Sequence, residues 1–308
     1  MMVSLCVVNT EQRDLLLRGL DAIARERAAV DFETEVVVLD NASGDGSADA
    51  ARAHPAVDTL IASEERRGWS ANVNAVVAAS RGAFVLLLNE DAELQPGALA
   101  ALRRALDADP RAGVAAAKLL RPDGRQQPSA WRFPTPWTAL LTLLMLHKRL
   151  IVQSTGAATR EVDWAQSCTI LIRRDAGDAA GWWDEAFFVY SEEVDFQRRL
   201  RDAGWTVLYV PDAVSVHHEQ LSTGSVPERR IVEFSRNRDR YMRKHHSALS
   251  AALVRYLTAL TYALRAAAAL VLPGHDPRRY FKHVTATLFP GRGEGIAEAA
   301  ARFNRRRG

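Results

Sequence analysis

The sequence predicts an α/β protein with a mostly parallel central sheet, flanking helices and a helical C-terminal segment. Two observations carry this expectation. Short continuous apolar runs at residues 3–8, 36–39, 57–61 and 84–88 alternate with stretches of helical periodicity, the pattern of parallel strands covered on both faces. Beyond Pro227 the extended runs stop and helical spacing takes over. The 308 residues, 48% hydrophobic and 25% charged, suffice for one large α/β domain with an accessory segment and exclude a disordered class.

The first strand, at 3–8, is followed by Leu15, Leu16, Leu20 and Ile23 at helical spacing. The second, at 36–39, runs into the polar turn Asp40-Asn41-Ala42-Ser43-Gly44-Asp45-Gly46. Residues 57–61, 69–80 and 84–88 then repeat strand, helix and strand. Pro96 opens a helix reaching to about residue 109, since proline suits a first helical turn. Pro122, Pro128, Pro134 and Pro136 break residues 121–160 into irregular structure. A strand is expected at 164–172, a helix at 192–202, and short strands at 205–210 and 214–217. These elements divide the chain into a domain at 1–225 and a basic helical segment at 226–308.

Residues 251–272 are apolar and about long enough to span a bilayer. Arg255 and Arg265 interrupt them, however, which favours an interfacial or packed amphipathic helix. The net charge of +3 says little, but basic residues cluster at 236–244 and at Arg302, Arg305, Arg306 and Arg307. These are solvated faces or contacts to an anionic membrane surface. Cys6 and Cys168 lie in apolar runs without a metal-binding or disulfide pattern, and no basic leader with an apolar core precedes the first strand. A cytoplasmic protein with peripheral contact to the inner membrane face is the expectation. No zinc module or aromatic–basic pattern supports a nucleic-acid partner.

Four polar clusters follow strands or open helices. Asp40, with the loop to Ser47, can accept a hydrogen bond from a nucleobase imide or simply form a turn and helix cap. Asn89-Glu90-Asp91 follows a buried strand, where clustered acids are costly unless paired or metal-bound. Their oxygens suit Mg²⁺ or Mn²⁺, and capping of the next helix is the alternative. Glu192, Glu193 and Asp195 open a helix, which favours acids there in any case; one of them could also serve as a general base. His217 and His218 end a strand, as surface residues or as part of a metal site.

In this order the clusters resemble family-two glycosyltransferases, which adopt the Rossmann-like GT-A fold. The stretches that carry the likeness are Val7-Val8-Asn9, residues 38–47, Gly68-Trp69-Ser70-Ala71-Asn72-Val73-Asn74, Leu88-Asn89-Glu90-Asp91, Trp183-Asp184-Glu185-Ala186-Phe187-Phe188, Glu192-Glu193-Val194-Asp195, and Tyr209-Val210-Pro211 ahead of His217. The likeness covers residues 1 to about 220, and Tyr241-Met242-Arg243-Lys244-His245-His246 extends it towards bacterial rhamnosyltransferase-like members.

The resemblance implies a nucleoside-diphosphate sugar donor, dTDP-rhamnose in this branch, and an inverting transfer to a glycan or lipid-linked acceptor in cell-envelope polysaccharide synthesis. It implies that Asp40 and Asn9 face the base, that Gly68 and Asn74 pack beside the nucleotide, and that Asn89 stands at the first position of the Asp-x-Asp motif. Asp91 and His217 would hold the divalent metal, and Glu193, with Glu192 beside it, would be the base. Three positions depart from the family: Glu11 and Arg66 stand where Asn is common, and Glu193 stands where the base is usually Asp.

Trp131, Phe133, Trp137, Trp182 and Trp183 form an acceptor face or belong to the core. Two other classes compete. A nucleotidyltransferase would carry a glycine-rich phosphate loop, and Asn9-Thr10-Glu11-Gln12-Arg13 has no glycine. A catalytically inactive nucleotide-sugar-binding scaffold is kept open by the change at Glu193.

Overall fold

The computed structural model describes residues 1–219, 227–272 and 274–307. The first half comprises β1 (Val3–Asn9), α1 (Arg13–Ala29), β2 (Thr34–Asp40), α2 (Ser47–Ala53), β3 (Thr59–Ala62), α3 (Trp69–Ala79), β4 (Phe84–Asn89), β5 (Ala92–Leu94), α4 (Ala98–Ala108) and β6 (Ala112–Leu120). Then come β7 (Gln126–Gln127), β8 (Ala130–Trp131), α5 (Pro136–Leu143), α6 (His147–Leu150), β9 (Arg160–Val162), β10 (Trp164–Ala165), β11 (Thr169–Arg173), α7 (Arg174–Ala180), α8 (Glu192–Asp202) and β12 (Thr206–His217). Helices α9 (Pro227–His245), α10 (Ala248–Ala269), α11 (Pro277–Leu288) and α12 (Ile296–Arg307) complete the chain.

Among the described residues the main sheet runs β3-β2-β1-β4-β11-β6-β12-β5. Strands β3, β2, β1 and β4 are parallel neighbours, as continuous apolar strands joined by helices require. Strand β11 enters antiparallel between β4 and β6, and β12 then pairs parallel with β6. This mixed α/β architecture has the mostly parallel sheet and helical C-terminal segment expected. Both faces are covered: Leu16, Leu20, Leu99 and Leu102 pack on one, and Val73, Val76, Phe196 and Leu200 on the other.

Three expectations need correction. The single strand at 164–172 is two: β10 pairs with β8 in a small ribbon where Trp164 stacks on Trp131, while β11 joins the main sheet. The two strands at 205–210 and 214–217 are one, broken in register between Val210 and Val214. Strand β6, at the sheet centre, falls where no strand was expected. The domain boundary drawn at 225/226 lies outside the described residues. Helix α10 carries Arg255 on Asp239 of α9, at 3.1 Å, and among the described residues no helix is long and apolar enough to cross a membrane.

Candidate active site

The carboxyl ends of β1, β2 and β4 open on one side of the sheet, where ligands gather in such folds. Asn9 and Asp40 are register partners at the ends of β1 and β2. The Asn9 Nδ2 group donates to Asp40 Oδ1 at 2.9 Å, and the Ser43 amide donates to Oδ2 at 3.0 Å. Asp40 is buried, so its immediate work is to shape the loop. Asp45 secures the same loop by accepting from the Ser47 amide at 3.0 Å and the Arg13 amide at 2.9 Å. These bonds outweigh its desolvation and hold its pKa below the usual carboxylate value.

Beside this loop lies a cavity of about 400 Å³ bordered by Arg66, Arg67, Arg229, Arg302 and Arg306, with Glu90 as its acid. Burial and the adjacent Asp91 charge push Glu90 up to about 8. Asn72 lines the cavity with a buried Oδ1 that lacks a hydrogen bond. Asn74, expected beside the nucleotide, faces away: its Nδ2 donates to Trp183 O at 2.9 Å, and its Oδ1 accepts from the Trp183 amide at 3.1 Å. Two residues along a helix turn about 200°, so the cavity takes Asn72 and the scaffold takes Asn74. Gly68 is needed because a Cβ there would stand 2.8 Å from Phe188 O. The close approach lets the Trp69 amide donate to that oxygen at 2.6 Å.

Asn89 ends β4, and Asp91 follows two residues on. The triplet does not cap the next helix, because Glu26 accepts from the Gly97 and Leu99 amides at 2.8 Å. Asp91 is buried, and its Oδ1 lacks a hydrogen bond of acceptable geometry. Its neighbour is Nε2 of His217, 3.3 Å away at the end of β12. The Nδ1 atom of His217 lies 3.1 Å from Gln127 Oε1, an arrangement that orients the ring through its far nitrogen. His218 points elsewhere, to Glu93 Oε1 at 2.8 Å, as alternation along a strand demands. Burial opposes a charge on His217, but the Cys168 sulfur and the Asp91 carboxylate outweigh it and lift the imidazole to about 11. The unbonded Asp91 Oδ1, facing the His217 ring at 3.3 Å, is the atom with acceptor capacity to spare. Among the described residues no group of three or more His, Cys, Asp or Glu forms a closed cage. One imidazole and one carboxylate fit an open Mg²⁺ or Mn²⁺ site completed by phosphate oxygens.

The acids of α8 divide by environment. Asp195 is fully buried and tied to His245 at 2.7 Å, Lys244 at 2.8 Å and Arg199 at 2.8 Å. Burial opposes its ionisation, but these partners win and lower it to about 2. Glu192 and Glu193 each carry a buried Oε2 without a partner. Burial and the Glu193 charge raise Glu192 well above the carboxylate range. Burial also raises Glu193, while the hydrogen bond from Glu192 holds it lower. Both acids are therefore harder to ionise than a free glutamate, and of the two it is Glu193 that lines the open cleft. The turn presenting them is strained: Tyr190 and Ser191 have φ of 69° and 67°, each costing on the order of 1–3 kcal/mol.

Glu193 lines a second cleft of about 810 Å³, together with Tyr190, Gln127, Trp131 and Trp164. Of the aromatic residues read from the sequence, Trp131 faces this cleft and Trp137 is exposed. Phe133 packs in the core, and Trp183 stacks on Phe196 at 4.1 Å beside Trp182. Sequence reasoning missed Arg67, Asn72, Gln127 and Trp164. The C-terminal arginines are exposed, as the sequence suggested, and Arg302 and Arg306, spaced i, i+4, also border the arginine cavity.

A GT-A-like sheet, an arginine-lined cavity at its carboxyl edge and a buried acid pair define the class of nucleotide-sugar glycosyltransferases. The profile of the Glycosyltransferase like family 2 matches residues 2–267, and the chain belongs to that family. It is 29% identical over 266 residues to the N-acetylglucosaminyl-diphospho-decaprenol L-rhamnosyltransferase of Mycobacterium tuberculosis, covering 77% of this chain and 83% of that one. Its fold matches the mannosyltransferase of Pyrobaculum calidifontis in complex with GDP-Man and Mn²⁺, with TM-score 0.56 and 18% identity over 98% of this chain and 86% of that one. It also matches S. aureus TarS (residues 1–349) in complex with UDP-GlcNAc, with TM-score 0.57 and 15% identity over 94% and 81%.

Proposed function

We propose that this glycosyltransferase is metal-dependent and inverting, and that it moves rhamnose from dTDP-rhamnose to a lipid-linked glycan acceptor. The observation that carries the proposal is the Asp91–His217 pair, with its unbonded buried oxygen, between the two openings. Glu90, next to Asp91, lines the arginine cavity, while Gln127, which holds His217, lines the aromatic cleft with Glu193. The donor diphosphate belongs with the arginines, and the acceptor hydroxyl belongs beside Glu193. The mycobacterial relative, named for rhamnosyl transfer to a diphospho-decaprenol acceptor, supports the choice of sugar and acceptor.

Asp91 and His217 would hold the divalent cation, which supplies charge neutralisation for the diphosphate leaving group. Guanidinium groups bordering the cavity bind and orient the phosphates. Glu193 accepts the acceptor hydroxyl proton as that oxygen bonds to sugar C1, and the C1–phosphate oxygen bond breaks with its electron pair leaving on the diphosphate. One base and one displacement from the opposite face invert C1. The apolar outer faces of α5 and α10 would rest on the inner membrane surface, with residues 226–308 as the basic accessory segment.

The test is thermal stability against a panel of nucleotide sugars with and without Mn²⁺. Selective, metal-dependent stabilisation by dTDP-rhamnose that disappears in Asp91→Ala is the expected result. No shift with any donor at millimolar concentration would favour the inactive scaffold.

A further inference from the structure

Helix α12 reaches across the chain to the donor side of the sheet. Its first turn is held by α9, where Glu233 Oε2 accepts from the Ala297 amide at 3.2 Å and Arg236 pairs with Glu298 at 2.8 Å. Its last turns reach the loops after β2 and β3. Asn304 brackets Arg66, accepting from its amide at 2.8 Å and donating to its carbonyl at 3.1 Å. The Arg66 guanidinium lies 3.7 Å from the Phe303 ring centroid, and Arg307 donates to Ala42 O at 3.2 Å. Arg66 also pairs with Glu11. Glu11 and Arg66, far apart in the sequence, answer each other here as the platform on which α12 docks.

The face of α12 turned inward follows helical spacing: Ile296, Ala299, Ala300 and Phe303 border the arginine cavity, with Arg302 and Arg306 at its rim. Small side chains at 299 and 300 leave room for a ligand beneath the helix. Arg229 and Arg302 share Glu294, whereas Arg67 and Arg306 form no ion pair among the described residues. A basic cavity with unpaired guanidinium groups suits a diphosphate, which planar guanidinium groups bind in pairs of hydrogen bonds.

We propose that α12 is a working part of the donor site: it forms the outer wall of the nucleotide cavity, and Arg306, which has no ion pair among the described residues, clamps the donor diphosphate together with Arg302, which exchanges Glu294 for the ligand. The assignment rests on reading the arginine cavity as the donor site. Glu11 and Arg66 act through α12, as positioning residues that hold it over the cavity.

Calorimetric titration of the full chain with dTDP and UDP in the presence of Mn²⁺ tests it. Arg302→Gln/Arg306→Gln should weaken dTDP binding at least tenfold and thymidine binding little, with an unchanged unfolding temperature. Asn304→Ala should weaken dTDP several-fold by loosening the helix without touching a phosphate contact. Wild-type affinity for dTDP in both variants would overturn the proposal by making α12 a bystander. Tighter binding would overturn it by making α12 a plug. If the wild-type chain itself binds neither dTDP nor UDP, the donor reading fails, and this proposal fails with it.

Discussion

Two carboxylates in one buried helical turn raise the cost of ionising each other, so a single proton is shared across them. Their positions distinguish them: Glu192 is buried, and Glu193 faces the aromatic cleft. Glu193→Gln should therefore cost about 10²–10⁴-fold in turnover, while donor binding, followed by nucleotide titration, stays intact. Glu192→Gln keeps a neutral donor beside Glu193 and should retain activity within about tenfold. The acidic limb of the rate profile should sit above the ordinary glutamate value of about 4.3, because burial raises Glu193 and activity appears only as it ionises. Equal losses in the two variants would remove the distinction. The acids themselves were legible in the sequence because charge at a strand or helix end is conspicuous. Asn72 was not, because choosing between Asn72 and Asn74 needs the face of α3 turned to the cavity. The Glu11–Arg66 pair was visible only as two oddities, since 55 residues separate them and only the fold brings them together.

At the scale of elements, the strands read correctly were those whose apolar runs match a buried parallel sheet. Strand β6 escaped because Ala112-Gly113-Val114-Ala115-Ala116-Ala117 is mostly alanine, a strong helix former. Its small residues have a packing cause: a Cβ on Gly113 would stand 2.8 Å from Ala176 Cβ and 3.1 Å from Trp205 Cβ. Close helix cover therefore selected small residues and erased the strand signal. The basic run at 236–244 was also only half legible, since Lys244, though exposed, reaches the buried Asp195 together with the neighbouring His245. That contact fastens α8, and with it the acid pair, to α9. Asp195→Asn should destabilise the chain by about 3 kcal/mol, because breaking a buried charged cluster leaves the remaining charges uncompensated. The sign with pH follows from a folded value of about 2 against 3.8. The advantage over the variant is full above about pH 4 and disappears as pH falls towards 2. Denaturant unfolding at pH 7 and near pH 2.5 measures both parts.

For the whole molecule, the position of the Glu193 cleft bears on the proposal of a lipid-linked acceptor. Helices α5 and α10 pack together and line the cleft through Thr138, Thr142, Thr258 and Tyr262, while Glu193 lies on the same cleft. Their outer faces are apolar and exposed: Leu249, Leu253, Tyr256, Leu260 and Leu264 form one stripe of α10, and Trp137 on α5 and Leu144 and Met145 just after it are exposed as well. Lys148 and Arg149 follow at the edge, as a surface that meets anionic headgroups requires. If the chain meets a membrane, this stripe on the apolar helix expected to be interfacial is the proposed contact, since α12 packs on the loops after β2 and β3. The wild-type chain should sediment with phosphatidylglycerol vesicles, more strongly at low salt. Leu253 and Leu260 are 44% and 46% exposed, and half-burying each in lipid is worth about 1 kcal/mol. Leu253→Glu/Leu260→Glu should then lower vesicle affinity at least about thirtyfold. Transfer to a water-soluble acceptor and the unfolding temperature should not change, whereas transfer to a vesicle-embedded acceptor should fall with the lost binding. If the double variant sediments as the wild type does, the stripe is not the membrane face, and the lipid-linked acceptor must reach Glu193 by another side of the cleft.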